Sequence, residues 1–240
     1  MKIKALLLAA GFGTRLRPLT LTNPKCLMEI NGVPILGHWL EKLNNLGCNE
    51  VLINTHYLNK KVEDYLAKIN FKNMKVITFY EKSLLGTAGT LLENLDFFQD
   101  SLGLLIHADN YTDDSLNNFI SRHLSKPEDC LLTMLTFKTD NPSSCGIVEK
   151  DRLGKIINFH EKTKEYYGDC ANGALYAFNN DFLDYLKNLK IKPSDFSTEI
   201  IPRILGKIFS YQTDSVYLDI GNPSSYEKAN AIAKERKFKS

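Results

Sequence analysis

Short apolar runs alternate with amphipathic segments through the first half of this 240-residue chain, and that alternation narrows its fold more than any other feature. Ile3 to Ala9, Val51 to Asn54, Lys75 to Tyr80 and Leu102 to His107 read as strands buried on both faces, as in a parallel sheet covered by helices. Between them, Pro34 opens a helix that shows Leu36, Trp39, Leu40, Leu43 and Leu46 at helical spacing and stops at Gly47. Another helix places Leu116, Phe119, Ile120, His123 and Leu124 on one face. Strands joined by helices predict an α/β fold with a central sheet between two helical layers.

From Asp129 the pattern changes. Cys130 to Thr136, Gly146 to Lys150, Ile156 to Glu161 and Asn172 to Phe178 read as strands, with a turn at Asp151 to Gly154. Phe182 to Leu189 and Thr198 to Leu205 read as helices, and Val216 to Ile220 as a last short strand before Asn222-Pro223 caps a closing helix. This half predicts mixed or antiparallel pairing, and the tail from Lys234 to Ser240 a solvated helix end. The length suits a single domain spanning residues 1–240.

Charge narrows the partners. Thirty Lys and Arg against 28 Asp and Glu leave a net charge of +2, too little for a field that attracts nucleic acid or an anionic membrane, so a small-molecule partner is expected. Cys26, Cys48, Cys130, Cys145 and Cys170 are odd in number and contain no Cys-x-x-Cys pair; they read as reduced thiols of a cytoplasmic protein. No apolar stretch approaches the ~20 residues of a membrane-spanning helix. The apolar start, Ala5 to Ala10, reads as a strand entering a glycine turn rather than a signal peptide.

That turn is the most informative segment: Ala9-Ala10-Gly11-Phe12-Gly13-Thr14-Arg15-Leu16-Arg17-Pro18, with Pro24-Lys25 following. Two glycines at a strand's carboxyl end let backbone N–H groups approach phosphate oxygens, while Arg15 and Lys25 supply compensating charge. A Walker A loop is excluded, because Gly11 has no Gly-Lys-Ser or Gly-Lys-Thr partner at the required spacing. A dinucleotide-binding loop is excluded as well: Leu16 stands where a small residue is needed, and Asn54 rather than an acid ends the second strand.

Further segments recur in order: Leu85-Gly86-Thr87-Ala88-Gly89, Ala108-Asp109-Asn110, Gly146-Ile147-Val148, Glu161-Lys162, Asn172-Gly173 and Leu218-Asp219-Ile220-Gly221. With these motifs the chain resembles the sugar-1-phosphate nucleotidyltransferases, or NDP-sugar pyrophosphorylases. Residues 13–43 are most similar to mannose-1-phosphate guanylyltransferases, in a short form without a C-terminal β-helix. The resemblance implies a three-layer αβα Rossmann-like nucleotidyltransferase fold with a mixed, mostly parallel central sheet. It also implies a nucleotide-binding half, residues 1–128, and a sugar-phosphate-binding half, residues 129–240.

By the same resemblance a sugar-1-phosphate attacks the α-phosphorus of a nucleoside triphosphate and pyrophosphate leaves. Fixed cations and a metal suit this reaction, because one anion attacks another. Arg15 and Lys25 are implied as the catalytic cations, and Asp109 and Asp219 as the ligands of Mg2+. Ala10, Gly11, Gly13, Thr14, Glu81, Gly86, Thr87 and Ala88 are implied to bind the nucleotide, and Gly146, Glu161, Lys162, Asn172 and Gly173 the sugar phosphate.

Glu81 leans towards GTP, since a carboxylate accepts from the adjacent N1–H and N2–H donors of guanine. The acceptor stays open between mannose and another manno-configured hexose or heptose, because His107-Ala108, Leu84 and Cys145 depart from the family pattern. Polysaccharide precursor synthesis in a bacterium and a homo-oligomer are further expectations drawn from the resemblance. The same reaction with UTP, CTP or dTTP or with a different phosphate acceptor, a metal-dependent glycosyltransferase using a nucleotide sugar and a catalytically silent sensor remain alternatives. His38, His56 and His123 receive no role, His107 reads as a supporting residue, and Trp39 reads as core.

Overall fold

The computed structural model describes residues 1–237. Its elements run β1 (Ile3–Leu8), β2 (Glu29–Ile30), β3 (Val33–Pro34), α1 (Ile35–Asn45), β4 (Glu50–Thr55), α2 (Asn59–Leu66), β5 (Lys75–Tyr80), α3 (Gly86–Glu93) and β6 (Leu102–His107). There follow β7 (Asn110–Thr112), α4 (Asn117–Leu124), β8 (Leu132–Lys138), β9 (Gly146–Lys150), β10 (Ile156–Glu161), β11 (Cys170–Phe178), α5 (Asn180–Lys187), β12 (Ile208–Gln212), β13 (Tyr217–Asp219) and α6 (Pro223–Lys237). The structure is mixed α/β on a central sheet, parallel through its first strands. Among the described residues no helix is long and apolar enough to cross a membrane.

The chain forms two compact units that interleave along the sequence. One comprises Met1–Leu6, Leu85–Ile106 and Ser115–Asp214; the other comprises Leu7–Leu84, His107–Asp114 and Ser215–Ser240. The units therefore do not divide at a single point in the sequence. The reason is β13, which pairs antiparallel with β7, Asp219 opposite Asn110, and so joins the chain's end to the unit holding the glycine loop.

In the first unit β11 is the organising strand, antiparallel to β6, to β8 and, through Ala171 and Ile147, to β9. β9 and β10 form a hairpin, and β12 runs parallel to β8. The Leu102 N–H donates to the Lys2 carbonyl, setting β6 beside the start of β1. Tyr176, Phe98, Phe178, Phe182 and Phe196 are fully buried here, with ring centroids 4.5 Å apart for Tyr176 and Phe196 and 5.0 Å for Phe98 and Phe178. Each such pair adds about 0.5–1.5 kcal/mol beyond the burial itself. In the second unit β4 and β5 pair in parallel, Asn54 opposite Phe79, while Ile35, Trp39 and Leu43 of α1 are buried.

The expected strands are present with ends shifted by a residue or two, and Asn222 caps α6 by accepting from the Ser225 N–H at 3.0 Å. The helix expected over Thr198 to Leu205 is not one helix. A π-helical turn, Phe196–Ile200, gives way to a 3-10 turn, Ile201–Arg203, because Pro202 has no N–H to continue an α ladder. β12 was not expected; its partner is a strand more than 70 residues earlier. Of the expected solvated tail, Phe238 to Ser240 lie outside the described residues.

Candidate active site

β1 ends at Leu8, and the buried Ala9 and Ala10 carry the chain into exposed Gly11 and Phe12. Gly13 then adopts φ +62°, and a Cβ there would stand 2.9 Å from Thr20 Cγ2 and 3.1 Å from Lys25 Cβ. Backbone conformation and space both call for glycine. The turn is closed locally: the Thr20 hydroxyl donates to the Gly13 carbonyl at 2.7 Å, and the Leu16 N–H donates to it at 3.0 Å. Thr14 and Arg15 belong to the single 3-10 turn Thr14–Leu16, and the Arg15 side chain is 65% exposed.

Lys25 is the opposite case, with 10% of its side chain exposed. Its ammonium donates to Asp109 Oδ2 and, at 3.3 Å, to Asp219 Oδ1. Asp109 lies between β6 and β7, and Asp219 ends β13. The β7–β13 pairing aligns them, and the Ile220 N–H donates to the Asp109 carbonyl at 3.1 Å. Trp39, the core residue of α1, steadies the same place by donating its indole N–H to the Asn110 carbonyl at 2.8 Å. Arg15 Nη2 lies 3.8 Å from the other oxygen of Asp219, Oδ2.

Burial alone would lower the Lys25 pKa, but the charge of Asp109, then that of Asp219, holds it above the ordinary lysine value. For Asp109 burial would favour the neutral acid; Lys25, and next His107, hold it below the usual carboxylate range instead. The cluster is thus a fixed ammonium between two carboxylates.

Asp109 and Asp219 are the carboxylates that could hold Mg2+. This cation takes one or two protein carboxylates and completes its shell with phosphate oxygens and water. Among the described residues no group of three or more His, Cys, Asp or Glu side chains gathers as a metal cage.

Glu81 is placed differently from what its residue type suggests. Only 2% of it is exposed, and its Oε1 accepts from Asn54 Nδ2 at 2.9 Å. Its carboxylate is engaged below the protein surface rather than presented on it.

In the first unit, Gly86 opens α3 with φ +79°, and a Cβ there would run into the Ser194 carbonyl oxygen. The Ala88 N–H donates to that oxygen at 2.9 Å, and the Thr87 hydroxyl accepts the Phe196 N–H at 2.7 Å. The Ala88 N–H and the Thr87 hydroxyl thus help to hold residues 194–196.

The expected sugar-phosphate residues gather on β9 to β11. Gly146 faces Glu161 across the hairpin, and a Cβ on Gly146 would stand 2.7 Å from Glu161 Oε2. The Lys162 ammonium lies 3.0 Å from Glu161 Oε1 and is 62% exposed. Lys162 has a backbone φ of +47°, unusual for a non-glycine residue. Asn172 and Gly173 occupy the irregularity where the β11–β8 register shifts. There the Asn172 amide donates to the Tyr176 hydroxyl at 2.8 Å, and its oxygen accepts from the Ala174 N–H at 2.9 Å.

The sequence matches the nucleotidyl transferase family over residues 4–236. The chain belongs to that family. This nucleotidyl transferase is 32% identical to a Drosophila melanogaster mannose-1-phosphate guanylyltransferase catalytic subunit beta, over 93% of its own length and 60% of the relative's. The chain spans about three fifths of the length of the curated relatives it matches. A Bacillus anthracis protein solved with sucrose, provisionally described as a glucose-1-phosphate thymidylyltransferase, superposes with a TM-score of 0.86 at 23% identity, covering 97% of this chain and 96% of that one. HddC from Yersinia pseudotuberculosis complexed with GMP-PN superposes with a TM-score of 0.80 at 24% identity, over 95% of this chain and 98% of that one. Both share the fold.

The sequence reading of this nucleotidyl transferase passes over three residues of the site. Asn54 entered it only as grounds against a dinucleotide loop, yet it is the partner of Glu81. His56 was given no role, yet its Nδ1 lies 2.8 Å from the Glu81 carbonyl and its ring 5.5 Å, edge to face, from Phe12. Thr20 closes the glycine turn. Only the Asn-Thr-His run at a strand end, polar where the strand is otherwise apolar, hints at the first two.

Proposed function

We propose that this nucleotidyl transferase moves a nucleoside monophosphate from GTP to a manno-configured hexose or heptose 1-phosphate, releasing pyrophosphate. The observation that carries the reading is the Lys25 ammonium, buried against the glycine turn with Asp109 and Asp219 upon it. A sugar-phosphate oxygen bonds to the α-phosphorus, the bond to the oxygen bridging the α- and β-phosphorus breaks, and that oxygen leaves on pyrophosphate. The attacking oxygen is already ionised, so the chain supplies charge and position rather than a base.

In this reading the N–H groups from Ala10 to Thr14 bind phosphate oxygens and Lys25 holds charge at the α-phosphate. Arg15, exposed beside Asp219, extends to the departing pyrophosphate. Asp109 and Asp219 would hold Mg2+, which when bound adds positive charge at the phosphate oxygens. Glu161 accepts from sugar hydroxyls, with Gly146 leaving room for its carboxylate, and Lys162 pairs with the acceptor phosphate.

GTP and mannose are favoured by the names of the guanylyltransferase relatives, not by Glu81. A nucleotide sugar is in turn consumed by glycosyl transfer, which accords with a role in supplying glycan assembly.

The test is pyrophosphate release in magnesium, with GTP, UTP, CTP, dTTP and ATP each offered against a panel of sugar-1-phosphates. Release with GTP and a manno-configured acceptor is expected. Release with another nucleotide keeps the reaction and overturns the donor; no release with any pair overturns the reading.

A further inference from the structure

Beneath the glycine loop lies a buried polar chain that the reaction as described does not use. Asn54, near the end of β4, is 4% exposed. Its Oδ1 accepts the Ala9 N–H at 2.6 Å, and its Nδ2 donates to Glu81 Oε1 at 2.9 Å. A carboxamide offers an acceptor on one arm and a donor on the other, and only one orientation of the amide serves both neighbours. Ala9 is the residue from which the chain leaves the sheet for Ala10 and Gly11. Glu81 is itself anchored, its N–H donating to the Thr55 carbonyl at 2.9 Å and its own carbonyl 2.8 Å from His56 Nδ1. Buried polar groups joined in this way resist displacement, because each lost bond strands a partner away from water.

We propose that Asn54 is a positioning residue for the phosphate-binding glycine loop, braced by Glu81. Glu81 then acts on the nucleotide through Asn54 and the Ala9 N–H rather than by touching the base. The inference rests on reading the glycine loop as the triphosphate site, and it assigns the brace to the phosphates, which all nucleoside triphosphates share.

The experiment is steady-state pyrophosphate release, with thermal unfolding, for the wild type and for Asn54→Leu, Asn54→Asp, Glu81→Leu and Glu81→Gln, using every nucleotide the wild type accepts. Asn54→Asp keeps an acceptor for Ala9 but turns a second acceptor on Glu81; Glu81→Gln keeps an acceptor for Asn54. Both Asn54 variants and Glu81→Leu should raise the nucleotide KM about tenfold, the weight of one buried hydrogen bond, by the same factor for each base. Glu81→Gln should recover most of what Glu81→Leu loses, and Asn54→Leu with Glu81→Leu should be no worse than either alone.

Unchanged KM in both Asn54 variants overturns the proposal. So does a loss confined to kcat with a lowered unfolding midpoint, which would make Asn54 merely structural. A Glu81→Gln variant that alters the ratio between bases while both Asn54 variants leave it untouched returns base reading to Glu81 and also overturns it. Absence of wild-type turnover with every nucleotide fells the reading beneath it instead.

Discussion

Of the lysines that face carboxylates at hydrogen-bonding distance, Lys25 and Lys162 differ in nearly everything else. Lys25 is buried beside the glycine turn and shared by Asp109 and Asp219. Lys162 is 62% exposed and pairs with its own neighbour in sequence, Glu161, at 3.0 Å. Water screens the second pair and lets its side chains reorient, so its energy is small and the lysine is available to a ligand. The first pair is held by packing, and Asp109 and Asp219 hold the Lys25 pKa above its ordinary value where burial alone would lower it. The same two residue types thus make a fixed electrostatic device in one place and a mobile contact in the other.

Lys25→Met is the strongest way to break that contrast. It should lower kcat about 10³-fold, the upper range for losing one preorganised donor, and lower stability by about 1–3 kcal/mol by stranding partly buried carboxylates. Activity within tenfold of wild type would put Lys25 on a par with Lys162.

Arg15→Ala comes next, at about 10² in kcat. Because Arg15 is 65% exposed, its unfolding midpoint should not move. A drop in the midpoint would show that the Asp219 contact is structural. Lys162→Met should act mainly on the sugar-phosphate KM, by about tenfold, with stability changed by less than about 1 kcal/mol. A stability loss equal to that of Lys25→Met would erase the distinction between the two pairs.

A pH dependence sharpens the comparison by adding a buried cation precursor held by neutral partners. His123 sits between Thr133 Oγ1 at 2.9 Å and Asn179 Oδ1 at 3.3 Å, and burial lowers its pKa to about 4. The unfolded chain takes up this proton near pH ~6.5 and the folded one only near 4, so acid favours unfolding. The contribution is complete above about pH 6.5 and is lost as pH falls from there to about 4. In denaturant titrations across that window, His123→Gln should flatten the slope; an unaltered slope would assign the acid sensitivity to other groups.

Much of this protein is legible from neighbouring residues alone. Apolar runs mark β1, β4, β5 and β6 because a strand buried on both faces needs little beyond its own side chains to declare itself. Gly13 is equally plain, since φ +62° in a tight turn is a local demand. Arg15 and Lys25 follow that turn directly, and Pro202 ends an α ladder by lacking one hydrogen.

What the tertiary structure decided concerns pairs of residues far apart in sequence. Asp219 becomes a partner of Lys25, 194 positions away, only because β13 registers against β7. Glu81 is an acid in any reading of the chain. Whether it meets solvent or the Asn54 amide depends on the parallel alignment of β4 with β5, which brings Glu81 alongside Thr55. Sequence determines which groups can carry charge and which turns are open to the backbone. Burial and register, set by packing across the whole chain, determine which of those groups remain charged and what they face, because both depend on how much water the distant segments exclude.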